Sequence, residues 1–286
     1  MKELELRAVQ LAELELLKEL NRVCEELDIQ YFLSYGTALG ALRHKGFIPW
    51  DDNVDVGMLR EEFDKFIEAA PKLLGDKYFL QSYLSEPNTP FFFAKLRLND
   101  SLYLEEYSQD IDMHHGIWID IYSYCNIPDD KKARRAFISK AHDLLQMFIV
   151  SAPSTDVHRK KSAKKRLKFL KNKVYYGITA KNERDQIFEK LTEHARKYQD
   201  QYTDFVMCEF YRDSIVPREF ISITQRTKFE HKKFPVSAYA DEYLTHTYGD
   251  WEKIPPEEDR FGHTPLKLDI PKKYIKAAKN ALLFKK

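Results

Sequence analysis

The sequence predicts an α+β fold, with helices and β-strands over residues 1–128 and a mostly helical part over residues 129–286. Three patterns predict it: an amphipathic segment at the start of the chain, a series of short apolar runs bounded by turn residues, and a Lys-rich stretch with helical periodicity after residue 129. Hydrophobic residues make up 43% of the chain, which is enough for a buried core and excludes a disordered or fibrous protein.

The first helix is predicted over residues 3–27, because Leu16, Leu20 and Val23 recur at helical spacing on one face. Alternation and turn residues then predict the following elements: a strand at 31–34, a helix after Gly36-Thr37, a strand at 53–58, a helix at 60–74, strands at 78–84 and 91–98 joined as a hairpin, and strands at 102–107 and 116–124. Residues 129–204 show helical periodicity, whereas the tail from Glu219 shows no clear period.

The charge and the cysteine content limit the class of protein. The 46 Lys and Arg nearly balance the 45 Asp and Glu, so the net charge of +1 does not indicate a protein that coats a polyanion. No apolar run has the length of a membrane-spanning helix, and the first residues do not resemble a signal peptide. Three widely spaced cysteines, Cys24, Cys125 and Cys208, fit no zinc spacing and are expected to be buried thiols in the cytoplasm.

The densest polar cluster begins at Gly36 and Thr37. A glycine lets bare backbone approach a ligand, and a threonine can cap the helix that follows, which leaves N–H groups to bind an anion such as a phosphate. On these two residues alone, an ordinary helix start is the favoured interpretation.

Acidic side chains follow within the same cluster. Asp51, Asn53 and Asp55 are two residues apart, so on an extended segment they point the same way, while Asp52 points to the opposite side. Asp120 adds a carboxylate inside an apolar strand, where an unpaired charge is costly. Such a face predicts a divalent cation or a proton-transfer site, although Asp51 and Asp52 could instead solvate a turn.

The segment YGTALGALRHKGFIPWDDNVDVGM at residues 35–58 resembles the LicD family of phosphotransferases, within the nucleotidyltransferase (polymerase-β-like) superfamily. Further matches are FAKLR at 93–97, HHGIWIDIY at 114–122 and motifs between residues 229 and 265. The resemblance implies a nucleotidyltransferase core with a mixed sheet over residues 1–128, and a helical and irregular part over 129–286 that completes the substrate cleft. It also implies transfer of phosphocholine from CDP-choline to a sugar hydroxyl of a teichoic acid or lipopolysaccharide precursor. Ribitol, glycerol or ethanolamine phosphate are alternative transferred groups.

The resemblance also implies the site residues. Position 53, Asp55 and Asp120 would hold Mg²⁺ or Mn²⁺ and form the catalytic set, in which Asp120 is also the best candidate base. The residues expected to bind the nucleotide donor or substrate are Gly36, Thr37, Arg43, His44, Asp51, Lys95, Arg97 and His263. Lys95 and Arg97 share one strand face that could equally be an exposed polar surface.

Asn53 departs from the family pattern, which has Asp at this position. An amide keeps one oxygen ligand but lacks the charge that holds a divalent ion, so metal affinity and activity are expected to be reduced. An engineered inactive variant or a naturally silent nucleotide-binding relative would each explain it, and the intact neighbouring motif favours the former.

Two further features bear on partners. Residues 158–173 hold nine Lys or Arg and no acid, which suits contact with the inner face of a membrane, a nucleic-acid arm or simply a solvated helix. Nothing else in the sequence indicates nucleic acid, and a lipid-linked or oligosaccharide glycan is the expected acceptor. A quaternary ammonium would favour aromatic rings, and Trp118, Tyr122, Trp50 and Tyr35 lie near the acidic motifs.

Overall fold

The computed structural model describes residues 1–152, 174, 183–210, 214–260 and 262–283. The predicted basic segment 158–173 lies outside the described residues. The α-helices are α1 (Glu3–Glu26), α2 (Tyr35–Arg43), α3 (Arg60–Ala69), α4 (Lys131–Val150), α5 (Arg184–Arg196), α6 (Glu219–Ser222), α7 (Ala240–Tyr248) and α8 (Lys272–Leu283). The strands are β1 (Phe32–Leu33), β2 (Asp55–Leu59), β3 (Tyr78–Gln81), β4 (Ala94–Leu98), β5 (Leu102–Leu104), β6 (Trp118–Ile127), β7 (Phe205–Cys208), β8 (Ile215–Pro217), β9 (Thr224–Phe229), β10 (Lys232–Ser237) and β11 (Lys267–Asp269).

Helix α1 confirms the amphipathic segment predicted over residues 3–27. Its apolar face, which includes Ala12, Leu16 and Leu20, is fully buried and packs against the sheet and against α8. Helix packing of this kind stabilises α1 mainly through its buried stripe, since an isolated helix gains little from propensity alone. The mixed α/β class of the fold follows from helices packed on a β-sheet.

The main sheet contains seven of the described strands. Its central path runs in the order β1-β2-β6-β4-β3, and β7 and β8 extend it from the second half of β6. Strands β2 and β6 run parallel, whereas the other neighbouring strands are antiparallel, so the sheet is mixed. The hairpin predicted from strands at 78–84 and 91–98 is confirmed as the shorter strands β3 and β4.

The parallel pair determines where the acidic residues meet. Asp55, the first residue of β2, lies directly opposite Asp120 near the start of β6. Two carboxylates that are 65 positions apart in sequence are therefore neighbours in the sheet. This register places both predicted acidic motifs at the same end of the parallel strands β2 and β6.

The part of the chain after residue 128 is helical only in places. Helices α4 and α5 pack together beside β7 around a second buried cluster that contains Phe137, Phe148 and Leu191. Strands β7–β11 also belong to this part, including the β9–β10 hairpin in the tail that shows no clear period. Strand β5 ends at Leu104 rather than continuing to Tyr107, and it pairs with β11.

The structure bears on two predictions, one about membrane-spanning helices and one about the thiols. None of the helices in the described ranges combines the length and apolarity that a bilayer-crossing helix requires. Cys24, Cys125 and Cys208 are free and buried, as predicted. Burial raises the pKa of Cys125 to about 12, so this thiol is protonated and unreactive at neutral pH.

Candidate active-site cleft

A cleft of about 520 Å³ opens at the end of the sheet where strand β2 begins. The described residues that line it are Tyr35, Gly36, Asp51, Asn53, Asp55, Tyr122, Cys208, Ser214, Tyr248 and His263. We call this the acidic cleft. Asp51, Asn53 and Asp55 all face it, in agreement with the predicted alternation of the extended segment.

The side chain of Asn53 joins the two carboxylates of the β2–β6 pair. Its Nδ2 donates a hydrogen bond of 2.7 Å to Oδ1 of Asp55 and one of 3.4 Å to Oδ2 of Asp120. Oxygens from both carboxylates thus lie within hydrogen-bond distance of a single nitrogen. The structure brings together the three side chains that the sequence assigned to one cation.

Burial and nearby negative charge disfavour the ionised forms of Asp51 and Asp55. Burial, and then the charge of Asp120, raise the pKa of Asp55 well above its usual range. Burial and the neighbouring Asp52 raise the pKa of Asp51 to about 6. A bound cation would relieve both effects, because it replaces repulsion between carboxylates by attraction.

The donor set fits a magnesium ion bound together with a phosphate substrate. Oδ1 of Asn53 is buried and has no hydrogen-bond partner among the described residues. Rotation of the amide would turn this oxygen toward the two carboxylates. Two carboxylates and one amide oxygen match the sparse protein ligation that Mg²⁺ uses beside substrate phosphates. No group of three His, Cys, Asp or Glu side chains within the described ranges is arranged to hold a metal.

Lys95 forms a buried ion pair with Asp120. Its Nζ lies 2.6 Å from Oδ1 of Asp120, and both side chains are more than nine-tenths buried. The ammonium also lies over the rings of Phe91, Phe93 and Trp118. Burial lowers the pKa of Lys95, while the adjacent carboxylate opposes that shift.

Arg97 is also enclosed within the fold. Its guanidinium donates to Oε1 of Gln81 at 2.6 Å and to the carbonyl oxygen of Gly116 at 2.7 Å. Neither Arg97 nor Lys95 is among the described residues that line the acidic cleft. The alternative that Lys95 and Arg97 form an exposed polar strand face is wrong, since both side chains are buried. A direct contact of either residue with a donor phosphate stays a prediction.

Asp52 is buried and binds Tyr103 and His263 through hydrogen bonds, so the alternative that it solvates a turn is wrong. Its side chain is 1% exposed and accepts hydrogen bonds from the hydroxyl of Tyr103 at 2.5 Å and from the backbone N–H of His263 at 2.8 Å. Burial raises the pKa of Asp52, but the hydrogen bonds from His263 and Tyr103 outweigh it and bring the pKa below its usual value. The contact of Tyr103 with Asp52 was not predictable from local patterns, because the two residues are 51 positions apart.

The same carboxylate places His263 at the cleft. Nδ1 of His263 lies 3.2 Å from Oδ1 of Asp52, and the imidazole lines the acidic cleft. The hydrogen bond to Asp52 raises the pKa of His263 to about 9 against the effect of burial. The side chain is therefore an imidazolium at neutral pH and can attract an anionic ligand.

This ion pair predicts a pH dependence of stability. The folded pKa of His263, about 9, exceeds the unfolded value of about 6.5, so its stabilisation is complete below pH 6.5 and is lost as the pH rises through 9. We expect the unfolding free energy of the wild type to exceed that of His263→Gln at pH 6, by less than about 1 kcal/mol because the imidazole is half exposed. Urea denaturation should show this difference disappearing above pH 9. A difference that stays constant from pH 6 to pH 10 would exclude the charged pair.

Gly36 and Thr37 lie inside helix α2 rather than before it. The helix begins at Tyr35, and Ser34 occupies the N-cap position, so the prediction that Thr37 caps a following helix is wrong. Instead, the hydroxyl of Thr37 accepts a hydrogen bond of 2.8 Å from the backbone N–H of Asp55. A Cβ atom on Gly36 would lie 3.0 Å from Oδ2 of Asp51, so glycine allows this close approach. Both residues thus position the acidic segment.

Arg43 and His44 support a neighbouring loop. Nη1 of Arg43 donates to the carbonyl oxygens of Trp251 at 2.6 Å and Lys253 at 3.1 Å, and its Nε donates to the ring of His44. The ring of His44 lies edge-on to Trp50. Neither residue is among those described at the acidic cleft, so their contact with a donor phosphate stays a prediction.

Comparison with known proteins finds one family match and several similar proteins. Residues 28–133 match the family described as LicD/FKTN/FKRP, nucleotidyltransferase domain. The chain is 29% identical over 275 residues to the lipopolysaccharide cholinephosphotransferase LicD of Haemophilus influenzae, which covers 92% of this chain and 97% of that protein. Shorter similarities are 36% identity over 58 residues to an uncharacterized protein of Rickettsia typhi, covering 20% of this chain and 19% of that one, and 40% over 48 residues to one of Rickettsia prowazekii, covering 17% and 18%.

Proposed function

Because this chain carries a nucleotidyltransferase domain of the LicD/FKTN/FKRP family, we propose that it is a phosphotransferase that moves phosphocholine from CDP-choline to a hydroxyl of a surface-glycan precursor. The relative from Haemophilus influenzae is a lipopolysaccharide cholinephosphotransferase, so a lipopolysaccharide-type acceptor is favoured over teichoic acid. The proposed fold of residues 1–128 is a nucleotidyltransferase core, which residues 129–286 extend on the substrate side.

One observation carries the proposal: Asp55 and Asp120 are paired in register at the edge of a cleft, with Asn53 between them. Phosphoryl-group transfer depends mainly on positioning and on stabilisation of charge, which such a site supplies. Asn53, Asp55 and Asp120 would hold Mg²⁺, which when bound would offset the negative charge of the donor diphosphate.

The chain's own residues account for the remaining requirements of the reaction. The acceptor oxygen forms a bond to the phosphorus that carries choline, the bond from that phosphorus to the bridging oxygen breaks, and CMP leaves. The acceptor hydroxyl loses a proton, for which Asp120 is the candidate base. Lys95 fixes the orientation of the Asp120 carboxylate through the 2.6 Å contact. The imidazolium of His263 faces the same cleft and is available to an anionic donor.

Asn53 favours a second candidate function, a nucleotide-binding protein without transferase activity. The amide of Asn53 donates a hydrogen bond to each carboxylate and so offsets part of the repulsion between them without an ion. This arrangement is expected of a site adapted to work without a tightly held ion. That Asn53 is an engineered substitution stays a prediction.

A transfer assay distinguishes the two candidates. The protein is incubated with CDP-choline, Mg²⁺ and a lipopolysaccharide oligosaccharide, and CMP and choline-labelled glycan are quantified. We expect equal amounts of the two products, no reaction in EDTA, and little reaction by the Asp55→Ala variant. Binding of CDP-choline without product, by the chain with Asn53 and also by Asn53→Asp, would favour the silent protein. CDP-ribitol, CDP-glycerol and CDP-ethanolamine serve as alternative donors in parallel reactions.

A further inference from the structure

We propose that Tyr35, Tyr122 and Tyr248 form the subsite that binds the quaternary ammonium of a CDP-choline donor. This inference rests on the proposed function and adds to it the residues that would select the transferred alcohol. Tyr248, on helix α7, is a residue that the sequence patterns did not single out.

Tyr35, Tyr122 and Tyr248 all line the acidic cleft. Tyr35 and Tyr122 have ring centroids 5.7 Å apart and planes at 85°, which is an edge-to-face pair. Tyr122 is next to the carboxylate pair, since its hydroxyl lies 3.5 Å from Oδ2 of Asp120. Tyr248, the last residue of α7, lines the same cleft. The Tyr35–Tyr122 pair therefore adjoins the place proposed for the donor diphosphate.

The other aromatic groups near Asp120 already hold a cation from the chain itself. The ammonium of Lys95 lies 4.4 Å from the ring centroid of Trp118, 4.8 Å from that of Phe91 and 5.2 Å from that of Phe93. The Trp118 ring is buried and faces Lys95 in the interior, so it is not available to a ligand ammonium.

Trp50 is engaged in the same way. Its ring is covered by the guanidinium of Arg260 at 4.7 Å and meets the ring of His44 edge-on. Among the aromatic residues considered near the acidic motifs, Tyr35 and Tyr122 are the ones that line the cleft.

The chemistry of the subsite matches a quaternary ammonium better than a polyol. Choline has no N–H or hydroxyl to donate once it is esterified, so it gains little from hydrogen-bonding partners and most from ring faces and nearby negative charge. Ribitol or glycerol would lose hydrogen bonds to water against tyrosine ring faces. Asp51, which lines the same cleft, supplies the negative field.

The test measures binding rather than turnover. Two donors are compared by isothermal titration calorimetry in Mg²⁺: CDP-choline and its neutral isostere, the CDP ester of 3,3-dimethylbutanol, in which carbon replaces nitrogen. We expect the wild type to bind CDP-choline about tenfold more tightly than the isostere, the size of effect that cation–π attraction gives at a partly enclosed site. Tyr248→Leu should reduce this preference to about twofold, whereas Tyr248→Phe should retain a clear preference because the ring face remains.

A matched control uses a tyrosine outside the cleft. Tyr202 is 77% exposed and does not line the acidic cleft, so Tyr202→Leu should keep the tenfold preference. Thermal unfolding of each variant shows whether the fold is retained, and Tyr248, which is 45% exposed, is not expected to be required for folding.

The outcomes separate the subsite from the proposed function. Equal binding of CDP-choline and the isostere by the wild type, or a tenfold preference that survives Tyr248→Leu, would overturn the subsite and leave the transferase proposal standing. Tighter binding of CDP-ribitol or CDP-glycerol than of CDP-choline would overturn it too. If no CDP donor binds, the proposed function fails, and the subsite fails with it.

Discussion

Replacing Asp120 by asparagine is expected to lower both transferase activity and stability by large amounts. The substitution removes a charged oxygen from the proposed metal site and leaves the buried ammonium of Lys95 without its counter-charge. Breaking a buried ion pair from one side costs about 3–5 kcal/mol of unfolding free energy, because the remaining charge stays in a low-dielectric interior. Loss of charge stabilisation at the reacting phosphate should reduce kcat/KM at least about 100-fold. Urea denaturation and the rate of CMP release measure the two effects.

A double variant separates stability from activity in this prediction. Replacing both partners by apolar residues, as Lys95→Met with Asp120→Leu, removes the ion pair without leaving an unpaired charge. We expect it to recover most of the lost unfolding free energy and none of the lost activity. The account is wrong if Asp120→Asn is as stable as the wild type, or if the double variant transfers phosphocholine.

Replacing Asn53 by aspartate is expected to make the stability of the protein depend strongly on Mg²⁺. In EDTA the new carboxylate repels Asp55 and Asp120 and loses the hydrogen bonds that Nδ2 of Asn53 donates to them, so the melting temperature should fall. With Mg²⁺ at about 100 times its Kd, binding to the folded state adds about 2.7 kcal/mol, so the melting temperature should rise again. The protein with Asn53, which has a weaker site, should respond less, and Asn53→Asp should also release CMP faster.

The control makes the same asparagine-to-aspartate substitution at an exposed position. Asn280 is an exposed residue of α8, and Asn280→Asp adds one charge without changing the cleft. Its melting temperature should change between EDTA and Mg²⁺ by the same small amount as that of the protein with Asn280. If Asn53→Asp melts at the same temperature in both solutions, its carboxylates do not share a cation.

The sequence predicted the acidic face because the chemistry is local there. Alternation along an extended chain is enough to place Asp51, Asn53 and Asp55 on one side, and the same rule correctly separates Asp52 from them. Placing Asp120 beside Asp55 required the resemblance to a family, because strand register between distant segments is not visible in a periodicity.

The missed features depend on contacts between distant segments. Alternation showed that Lys95 and Arg97 share a strand face but not that this face is buried, since depth depends on which elements cover it. Tyr248 comes from a region without clear periodicity and reaches the cleft only through the packing of α7. The hydrogen bond between Tyr103 and Asp52 likewise joins strand β5 to the segment before β2.

The most direct test of the central claim is to locate a bound metal ion. Crystals of the protein grown with Mn²⁺ and CDP-choline would be measured at the manganese absorption edge, where the ion gives an anomalous signal. The account predicts one manganese peak in contact with oxygens of both Asp55 and Asp120 and with the donor diphosphate. A donor bound elsewhere, or a metal peak that contacts neither carboxylate, would contradict it.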